Sequence, residues 1–285
     1  NVTVTAGKSV AVAGTVEAEA GAVTLTANAA SGLTEAEVAA VNAVAGEGTV
    51  AAGDAGVIVS GTVLGKTGVT VGTAGSVVVK GATVLAGDVN VEAPASTEAQ
   101  ENVALSVTAA KDVLVAGGAK VASSGSAGLT ATAGDITVGG ASRVGAAKGL
   151  TATAGGAFEV SGGAAVAAKG AATVNAGAAY VQGGTLESVG AMAVKATDGN
   201  VIVKDGKIGS GDAVTVTATV GDIHVGGFNA GTTPTPVAGK VQGVKAVTLE
   251  ATAGNVAVEA GEVFAKTENV TVTAGKSVAV AGTVE

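Results

Sequence analysis

Cysteine is absent from the sequence, which excludes disulfide cross-links, thiolate metal ligands and redox chemistry through thiols. Histidine and arginine occur once each, as His224 and Arg143. Aromatic residues make up only 1% of the chain, so the large side chains that fill the centre of most globular domains are scarce. No apolar run reaches the roughly 20 residues that span a bilayer, because Thr, Lys, Asp or Gly interrupts each one. These absences predict a narrow protein interior and no membrane-spanning segment.

Charged residues are also few, 13% of the chain, and the formal net charge is −8. Nucleic-acid-binding proteins concentrate Lys and Arg on one face, so we expect no nucleic-acid partner. Glycine is abundant, with 47 residues, and the hydrophobic fraction of 47% is nearly all Val and Ala. This composition favours a single repetitive body over two ordinary globular domains.

The first and the last seventeen residues of the sequence are identical. NVTVTAGKSVAVAGTVE occupies residues 1–17 and again residues 269–285, an offset of 268 residues (269 minus 1). We interpret residues 1–268 as one block of a tandem-repeat protein and residues 269–285 as the start of the next identical block. No Met or apolar leader precedes Asn1, so we expect any export signal to lie outside these residues. The expected location is extracellular or at the cell surface, associated with an outer membrane, with the periplasm as the alternative.

A shorter period inside the block is marked by Val-Thr strands. Strand starts at residues 129, 150, 172, 193 and 214 are spaced by 21, 22, 21 and 21 residues, and weaker matches begin at 50, 69, 103 and 247. Within one period, apolar residues alternate in three short pieces separated by glycine, as at residues 2–5, 10–12 and 16–18. Such alternation predicts strands with one face inward, which stack on equivalent strands of the next period. The sequence therefore predicts an all-β fold, a right-handed parallel β-helix with three sides and about eleven coils.

Three stretches break the coil length, residues 27–47, 92–102 and 226–244. The first has a capping-box start at Thr34 followed by apolar residues at helical spacing, which predicts a short helix lying on the solenoid. In the second, Thr97 before Glu98 predicts another helical turn, and in the third Pro234 and Pro236 predict a projecting loop. These insertions are expected either to make lateral contacts between shafts or to pack on their own coil. The candidate apolar contact residues are Val38, Val41 and Phe228.

The pieces V-T-V-T-A-G, V-x-V-x-G and T-V-x-A, at residues 2–17 and 247–263, resemble the haemagglutinin-type repeats of filamentous-haemagglutinin-like giant adhesins. The likeness covers nearly the whole chain except the insertions. It implies a right-handed β-helix, export across a bacterial outer membrane, and a long surface shaft whose adhesive sites lie elsewhere. The richness in Ala and Gly and the 268-residue block depart from typical members.

The sequence offers little catalytic chemistry. In Asp222-Ile223-His224-Val225, alternation places Ile223 and Val225 inside and His224 in solvent. One histidine supplies one metal ligand, so we expect no metal or catalytic role for it. Glycine pairs such as Gly162-Gly163 lack the Lys-Ser/Thr of a phosphate-binding loop, and no GGxGxD string of a calcium-binding β-roll occurs. The sequence predicts no cofactor, no metal site and no catalytic residue.

Three functions remain as hypotheses. The first is a structural shaft whose partners are copies of itself, end to end and side by side. The second is an ice-binding surface, in which Thr-x-Thr pairs on stacked coils form a flat array that Ala51, Asn175 and Lys195 interrupt. The third is a polysaccharide-active β-helix enzyme, which would need grouped carboxylates and aromatic platforms. The residues of the candidate array are Thr3, Thr5, Thr24, Thr26, Thr130, Thr132, Thr151, Thr153, Thr215 and Thr217.

Overall fold

The computed structural model describes residues 1–28, 56–90, 98–228 and 236–285. Across these residues the chain forms no helix, and strands account for 63%. Strands follow one another around three faces, and all except the short strand Pro236–Val237 pair in parallel with the equivalent strand of the next turn. The fold is a parallel β-solenoid of eleven coils, which confirms the fold class predicted from the sequence.

In most coils the first, second and third strands lie on the first, second and third face of the solenoid; coil 9 has one additional short strand, Pro236–Val237, between its second-face and third-face strands. Coils 1 to 4 contain β1 (Val2–Ala6), β2 (Val10–Val12), β3 (Thr15–Ala18); β4 (Ala22–Ala27), β5 (Gly56–Val59), β6 (Thr62–Gly65); β7 (Gly68–Thr73), β8 (Ser76–Lys80), β9 (Thr83–Ala86); and β10 (Ala104–Ala109), β11 (Val113–Ala116), β12 (Lys120–Ser123). Coils 5 to 8 contain β13 (Ser126–Ala131), β14 (Ile136–Val138), β15 (Arg143–Ala146); β16 (Leu150–Ser161), β17 (Ala165–Ala168); β18 (Ala172–Gln182), β19 (Thr185–Ser188); and β20 (Met192–Ala196), β21 (Val201–Lys204), β22 (Lys207–Ser210). Coils 9 to 11 contain β23 (Val214–Ala218), β24 (Ile223–Phe228), β25 (Pro236–Val237), β26 (Lys240–Gly243); β27 (Val247–Ala251), β28 (Val256–Glu259), β29 (Glu262–Ala265); and β30 (Val270–Ala274), β31 (Val278–Val280), β32 (Thr283–Val284). In coils 6 and 7, β16 and β18 each supply both the first and the second face.

Alternation along each strand decides which side chains enter the core. In β4, Val23, Leu25 and Ala27 are fully buried, whereas Thr24 and Thr26 lie on the outer surface. The inward side chains of the three faces meet in one continuous cluster, mostly of Val and Ala. These small and β-branched side chains suit a pleated sheet and fill a narrow interior. A solenoid of this kind therefore needs few aromatic residues in its core.

The coil count agrees with the sequence prediction, but one predicted coil start is wrong. Strand β4 pairs directly with β7, Val23 opposite Val69, so no first-face strand separates the coils that begin at Ala22 and Gly68. The weak match at residue 50, which lies outside the described residues, is therefore not a coil start. The insertion falls within coil 2, between β4 and β5.

The insertions leave the solenoid at three different corners, between β4 and β5, between β9 and β10, and between β24 and β26. The helix predicted to start at Thr34 lies outside the described residues. The helical turn predicted at Glu98 does not form across residues 98–102, where the backbone N–H of Gln100 instead donates to the Ser124 carbonyl (2.8 Å).

The proline-rich loop prediction is corrected at its last residue. Pro236 lies in the two-residue strand β25, which pairs antiparallel with the end of β24, Pro236 opposite Phe228. Proline is tolerated in such a strand because an edge position does not need its missing N–H. Residues 229–235 lie outside the described part of the chain.

The corner between the second and third faces is built from a column of left-handed residues. Gly117, Gly140, Gly162 and Gly183 stack one per coil with φ between 61° and 68°, and Asp205 continues the column with φ 51°. Glycine adopts this conformation without the steric cost that a Cβ atom brings. The column explains why glycine recurs between the apolar pieces of each period.

Candidate functional site: coil edges, corner ladder and threonine face

The identical segments 1–17 and 269–285 occupy equivalent positions in the solenoid. Coil 1 is built by β1, β2 and β3 and coil 11 by β30, β31 and β32, and the strand starts differ by 268 residues on every face (270 minus 2, 278 minus 10, 283 minus 15). Coil 1 has coil 2 on one side, and coil 11 has coil 10 on the opposite side. The structure therefore shows the repeated sequence once with a coil above it, coil 2, and once with a coil below it, coil 10.

The free sides of these two coils expose residues that belong to the core elsewhere. We call the side of coil 1 away from coil 2 the lower edge, and the side of coil 11 away from coil 10 the upper edge. Val12 in coil 1 is 6% exposed, whereas its repeat mate Val280 in coil 11 is 51% exposed. Val2 and Val4 in coil 1 are only partly buried. Open strand edges with apolar side chains are surfaces for pairing with another strand.

A ladder of small polar side chains, the corner ladder, runs along the corner between the first and second faces. Its hydrogen bonds join one coil to the next, because a side-chain oxygen accepts the backbone N–H of the equivalent residue above. Asp112 Oδ1 accepts from Asp135 N (2.9 Å), Asn200 Oδ1 from Asp222 N (2.8 Å), and Asp222 Oδ1 from Asn255 N (2.7 Å). These bonds satisfy backbone donors at a corner where the strand ladder is interrupted.

Coils 6 and 7 have no polar residue at this position, and there backbone pairing takes the place of the side-chain hydrogen bond. Ala157 and Ala178 occupy the position there, and they pair directly as β16 and β18 run through the corner without a break. Asp135 Oδ1 still accepts from Ala157 N (2.6 Å) at the lower side of these coils. From coil 4 to coil 7 and from coil 8 to coil 10, this corner is therefore joined either by a side-chain bond or by direct pairing of continuous strands.

The corner ladder ends differently at the two ends of the molecule. Ser277 in coil 11 donates its Oγ hydrogen to Asn255 Oδ1 in coil 10 (2.6 Å). Ser9 is the repeat mate of Ser277, and among the described residues its buried Oγ has no hydrogen-bond partner. A buried hydroxyl without a partner is unfavourable. The lower edge of coil 1 thus lacks the polar partner that coil 10 provides to coil 11.

Asp222 Oδ1 accepts two hydrogen bonds in the corner ladder, from the backbone and side-chain nitrogens of Asn255 (2.7 and 3.0 Å). The backbone N–H of Asn255 lowers the pKa of Asp222 below its ordinary value of 3.8, burial opposes this effect, and the Asn255 side chain, His224 and Lys276 lower it further. His224 Nε2 lies 3.9 Å from Asp222 Oδ2, with its side chain 40% exposed. His224 therefore faces solvent, as alternation predicts, between Ile223 and Val225, which are both fully buried.

Outward residues of the first face form two columns along the solenoid axis. Threonine fills eight of the eleven positions of the first column and seven of the eleven positions of the second. The first column is Thr3, Thr24, Thr70, Ser106, Gly128, Thr151, Thr173, Ala193, Thr215, Thr248 and Thr271. The second column is Thr5, Thr26, Gly72, Thr108, Thr130, Thr153, Asn175, Lys195, Thr217, Glu250 and Thr273.

These registers correct one predicted pair. Thr130 lies in the second column, opposite Thr153, and Thr132 follows the end of β13 instead of continuing the array. The sequence reasoning also missed six threonines of the two columns, although the weak Val-Thr matches near residues 69 and 247 indicated two of them. The missed residues are Thr70, Thr108, Thr173, Thr248, Thr271 and Thr273.

The predicted lateral-contact residues are only partly placed. Val38 and Val41 lie outside the described residues, and of Phe228 the structure gives the backbone position at the end of β24. A separate apolar cluster lies outside the core on the second face, where Ile58 and Val78 are buried and Leu114 packs against them. This cluster involves outward positions of β5, β8 and β11.

The described residues contain no group of three or more His, Cys, Asp or Glu side chains that could hold a metal ion. Within the same residues, no helix is long and apolar enough to cross a lipid bilayer. An open groove crosses the third face at Gly209 and is lined by Phe264 and by the ion pair between Glu187 Oε1 and Lys207 Nζ (2.8 Å). Comparisons of the chain with protein-family models, with curated proteins and with solved structures gave no match.

Proposed function

We propose that this chain is a segment of a structural shaft, built from tandem copies of a 268-residue solenoid block in a giant extracellular or cell-surface protein. The observation that carries this proposal is the equivalence of coil 1 and coil 11, which have the same sequence and the same strand positions. Because coil 11 already stacks on coil 10, it supplies the geometry by which coil 1 of a following block would stack on coil 10 of the block before it.

The packing at coil 11 supports a junction without a cap. Val270 pairs opposite Val247 on the first face and Val278 opposite Val256 on the second, so the apolar column continues across the boundary between blocks. In the same arrangement Ser9 of a following block would donate to Asn255 of the preceding one, as Ser277 does here. One block adds ten coils, which corresponds to about 48 Å of shaft at roughly 4.8 Å per coil.

The resemblance to filamentous-haemagglutinin-like adhesins gives this shaft its proposed setting, a bacterial surface fibre or adhesin stalk. In such proteins the shaft holds adhesive sites away from the cell, and stiffness comes from the ladder hydrogen bonds and the continuous core. The adhesive sites would lie outside this block.

Electron microscopy of chains with one, two and three consecutive blocks tests the proposal. Uniform rods are expected, with a length that grows by about 48 Å for each added block. Particles whose longest dimension does not increase with the number of blocks would overturn the proposal.

Ice binding is the second candidate, and the threonine columns of the first face favour it. Eight threonines of the first column project outward at coil spacing, in runs separated by Ser106, Gly128 and Ala193. Lys195 and Glu250 project from the second column. Thermal hysteresis that disappears in the variant Thr151→Lys/Thr153→Lys would support this function. The matched control is Thr62→Lys/Thr83→Lys on the third face, which should keep the activity. A wild-type chain without thermal hysteresis would exclude ice binding.

A further inference from the structure

We propose that two shafts of this chain pair side by side through their first faces, running in opposite directions, so that Lys195 of one copy faces Glu250 of the other. The partner is a second copy of the same chain, and the contact is non-covalent. It gives the proposed shaft a lateral partner. Its centre, in coils 8 to 10, lies inside one block, and only its extension along the shaft rests on the proposed function.

The outer surface of the first face carries little charge. In its two columns, all of whose positions the structure describes, Lys195 and Glu250 are the charged side chains, and the other positions hold Thr, Ser, Gly, Ala or Asn. Two sheets with such small side chains can approach to about 10 Å, the usual distance between packed sheets. Little charge has to leave water when this face is covered, which suits the face to a protein contact.

The two charges lie symmetrically about coil 9. In the second column, Thr217 pairs with Lys195 of coil 8 on one side and with Glu250 of coil 10 on the other. A two-fold axis between the copies, parallel to the strands and level with coil 9, reverses the direction of one shaft and sets coil 8 of each copy against coil 10 of the other. Lys195 and Glu250, which are both exposed, then face each other twice in the contact. This charge complementarity identifies a second copy as the occupant of the face.

The neighbouring positions fit the same symmetry. Thr215 and Thr217 lie on coil 9 and face their own mates across the axis, and a hydroxyl group can both donate and accept a hydrogen bond. Ala193 of coil 8 faces Thr248 of coil 10, so a small side chain lies opposite a larger one.

Shafts that run in the same direction would not pair the charges. A two-fold axis parallel to the shafts sets the first column of one copy against the second column of the other at the same coil. Lys195 would then face Ala193, and Glu250 would face Thr248. Each covered charge would lose water without gaining a partner of opposite sign, which is unfavourable. The opposite direction is therefore favoured.

Tandem blocks extend the contact along the shaft, and this step rests on the proposed function. A ten-coil repeat in an antiparallel pair gives two-fold axes every five coils, so the axis at coil 9 requires another at coil 4 (9 minus 5). At the first and second columns, coil 3 carries Thr70 and Gly72, and coil 5 carries Gly128 and Thr130. The axis at coil 4 sets each of these glycines against a threonine, so the glycine leaves room for the larger side chain.

Charge reversal tests which side chains face each other. Lys195→Glu sets carboxylates against each other at both charged positions of the contact, so the dissociation constant of the pair should rise about tenfold or more. Lys195→Glu/Glu250→Lys exchanges the two charges, restores opposite signs across the contact, and should pair like the wild type. The matched control is Lys80→Glu, which changes the net charge equally at an exposed lysine of the second face and should leave the dissociation constant unchanged.

Sedimentation equilibrium of the full chain and of a two-block chain, with each substitution made in every block, measures the pairing. The wild-type chains should form reversible dimers that weaken as ionic strength rises, because salt screens the attraction between Lys195 and Glu250. The two-block chain should pair about tenfold more tightly or better, since its contact is longer. Circular dichroism checks that each variant is folded, which is expected at exposed positions.

Several outcomes would overturn the proposal. These are a wild type that stays monomeric in both chain lengths, a Lys195→Glu variant that pairs as well as the wild type, an exchange variant that does not pair, and an equal loss in Lys80→Glu. A two-block chain that pairs no more tightly than the single block would overturn the extension to coil 4. Two-block rods of the expected length that do not pair would overturn the lateral contact and leave the proposed shaft standing.

Discussion

Ser9 and Ser277 occupy the same position of a 268-residue repeat, but only Ser277 has a hydrogen-bond partner, Asn255 Oδ1 at 2.6 Å. The difference comes from their neighbours, because coil 10 lies beneath Ser277 and no described coil lies beneath Ser9. One sequence in two environments gives an internal control for the contribution of a coil junction to stability.

The first prediction uses this pair. Ser277→Ala removes the bond to Asn255 and should lower the local stability of coil 11 by about 1 kcal/mol, the typical net contribution of one hydrogen bond. Ser9→Ala removes a hydroxyl that has no partner in the described structure, so it should be neutral or slightly stabilising in the single block. Hydrogen exchange of the amides in coil 11 and coil 1 measures both effects. In a chain of two blocks, Ser9→Ala in the second block should become as costly as Ser277→Ala is here, and equal effects of the two substitutions in the single block would contradict this account.

A second prediction concerns the left-handed glycine column. Gly162 has φ 61°, and an added Cβ atom would lie 3.2 Å from the backbone nitrogen of Gly140. Gly162→Ala should therefore destabilise the chain by about 1 kcal/mol in urea unfolding. Gly72 is the matched control, because it lies on the outer surface of β7 and a Cβ atom added there would meet no atom within 4 Å beyond its chain neighbours. Gly72→Ala should be neutral or stabilising by up to about 1 kcal/mol, and an equal loss in both variants would argue against the conformational explanation.

Much of the fold is encoded in the local pattern of the sequence. Alternation predicts which side chains are buried, since a strand has only two faces, and glycine marks the corners. The identity of the first and last coils is likewise visible without coordinates. Alternation and the corner glycines depend only on residues that are close in sequence.

Register between coils is harder to predict, because the alternation has a period of two. The L-T-A-T strings that begin at Leu129 and Leu150 look equivalent, but Leu129 pairs opposite Ala152, two residues away from the position that the matching letters indicate. A slip of two residues leaves the same side chains buried, so alternation cannot detect it. The corner that follows each strand fixes the register. The corner ladder was missed for a related reason, because isolated Ser, Asn and Asp residues are common in any turn.

A third prediction concerns the core. Phe158 is 1% exposed and stacks between Ile136 of the coil below and Ala179 of the coil above. Phe158→Ala should cost about 3 to 5 kcal/mol, because the small side chain of Ala179 leaves little to fill the cavity. Phe264 is the matched control, since it is a partly exposed phenylalanine on the outer surface of β29. Phe264→Ala should cost less than about 1 kcal/mol, so thermal unfolding of the two variants should separate the core position from the surface position. Similar melting temperatures would mean that the interior of coil 6 is not closely packed.

The fourth prediction is a dependence of the corner ladder on acid. Hydrogen bonds from Asn255 lower the pKa of Asp222 in the folded chain below its ordinary value of 3.8, and His224 and Lys276 lower it further. A carboxyl whose pKa is lower in the folded state stabilises that state fully above the unfolded pKa, and the contribution is lost as the pH falls through the folded pKa. The stability of coils 9 and 10 should therefore decrease between about pH 5 and pH 2. Asp222→Asn keeps an oxygen that can accept from Asn255 but cannot ionise, so this variant should be less stable than the wild type at pH 7 and should lose less stability on acidification. Hydrogen exchange of the Val256 amide at pH 7 and at the acid end of this range, about pH 2, measures the difference. An equal loss of stability in the wild type and the variant would show that the charge of Asp222 does not hold these coils together.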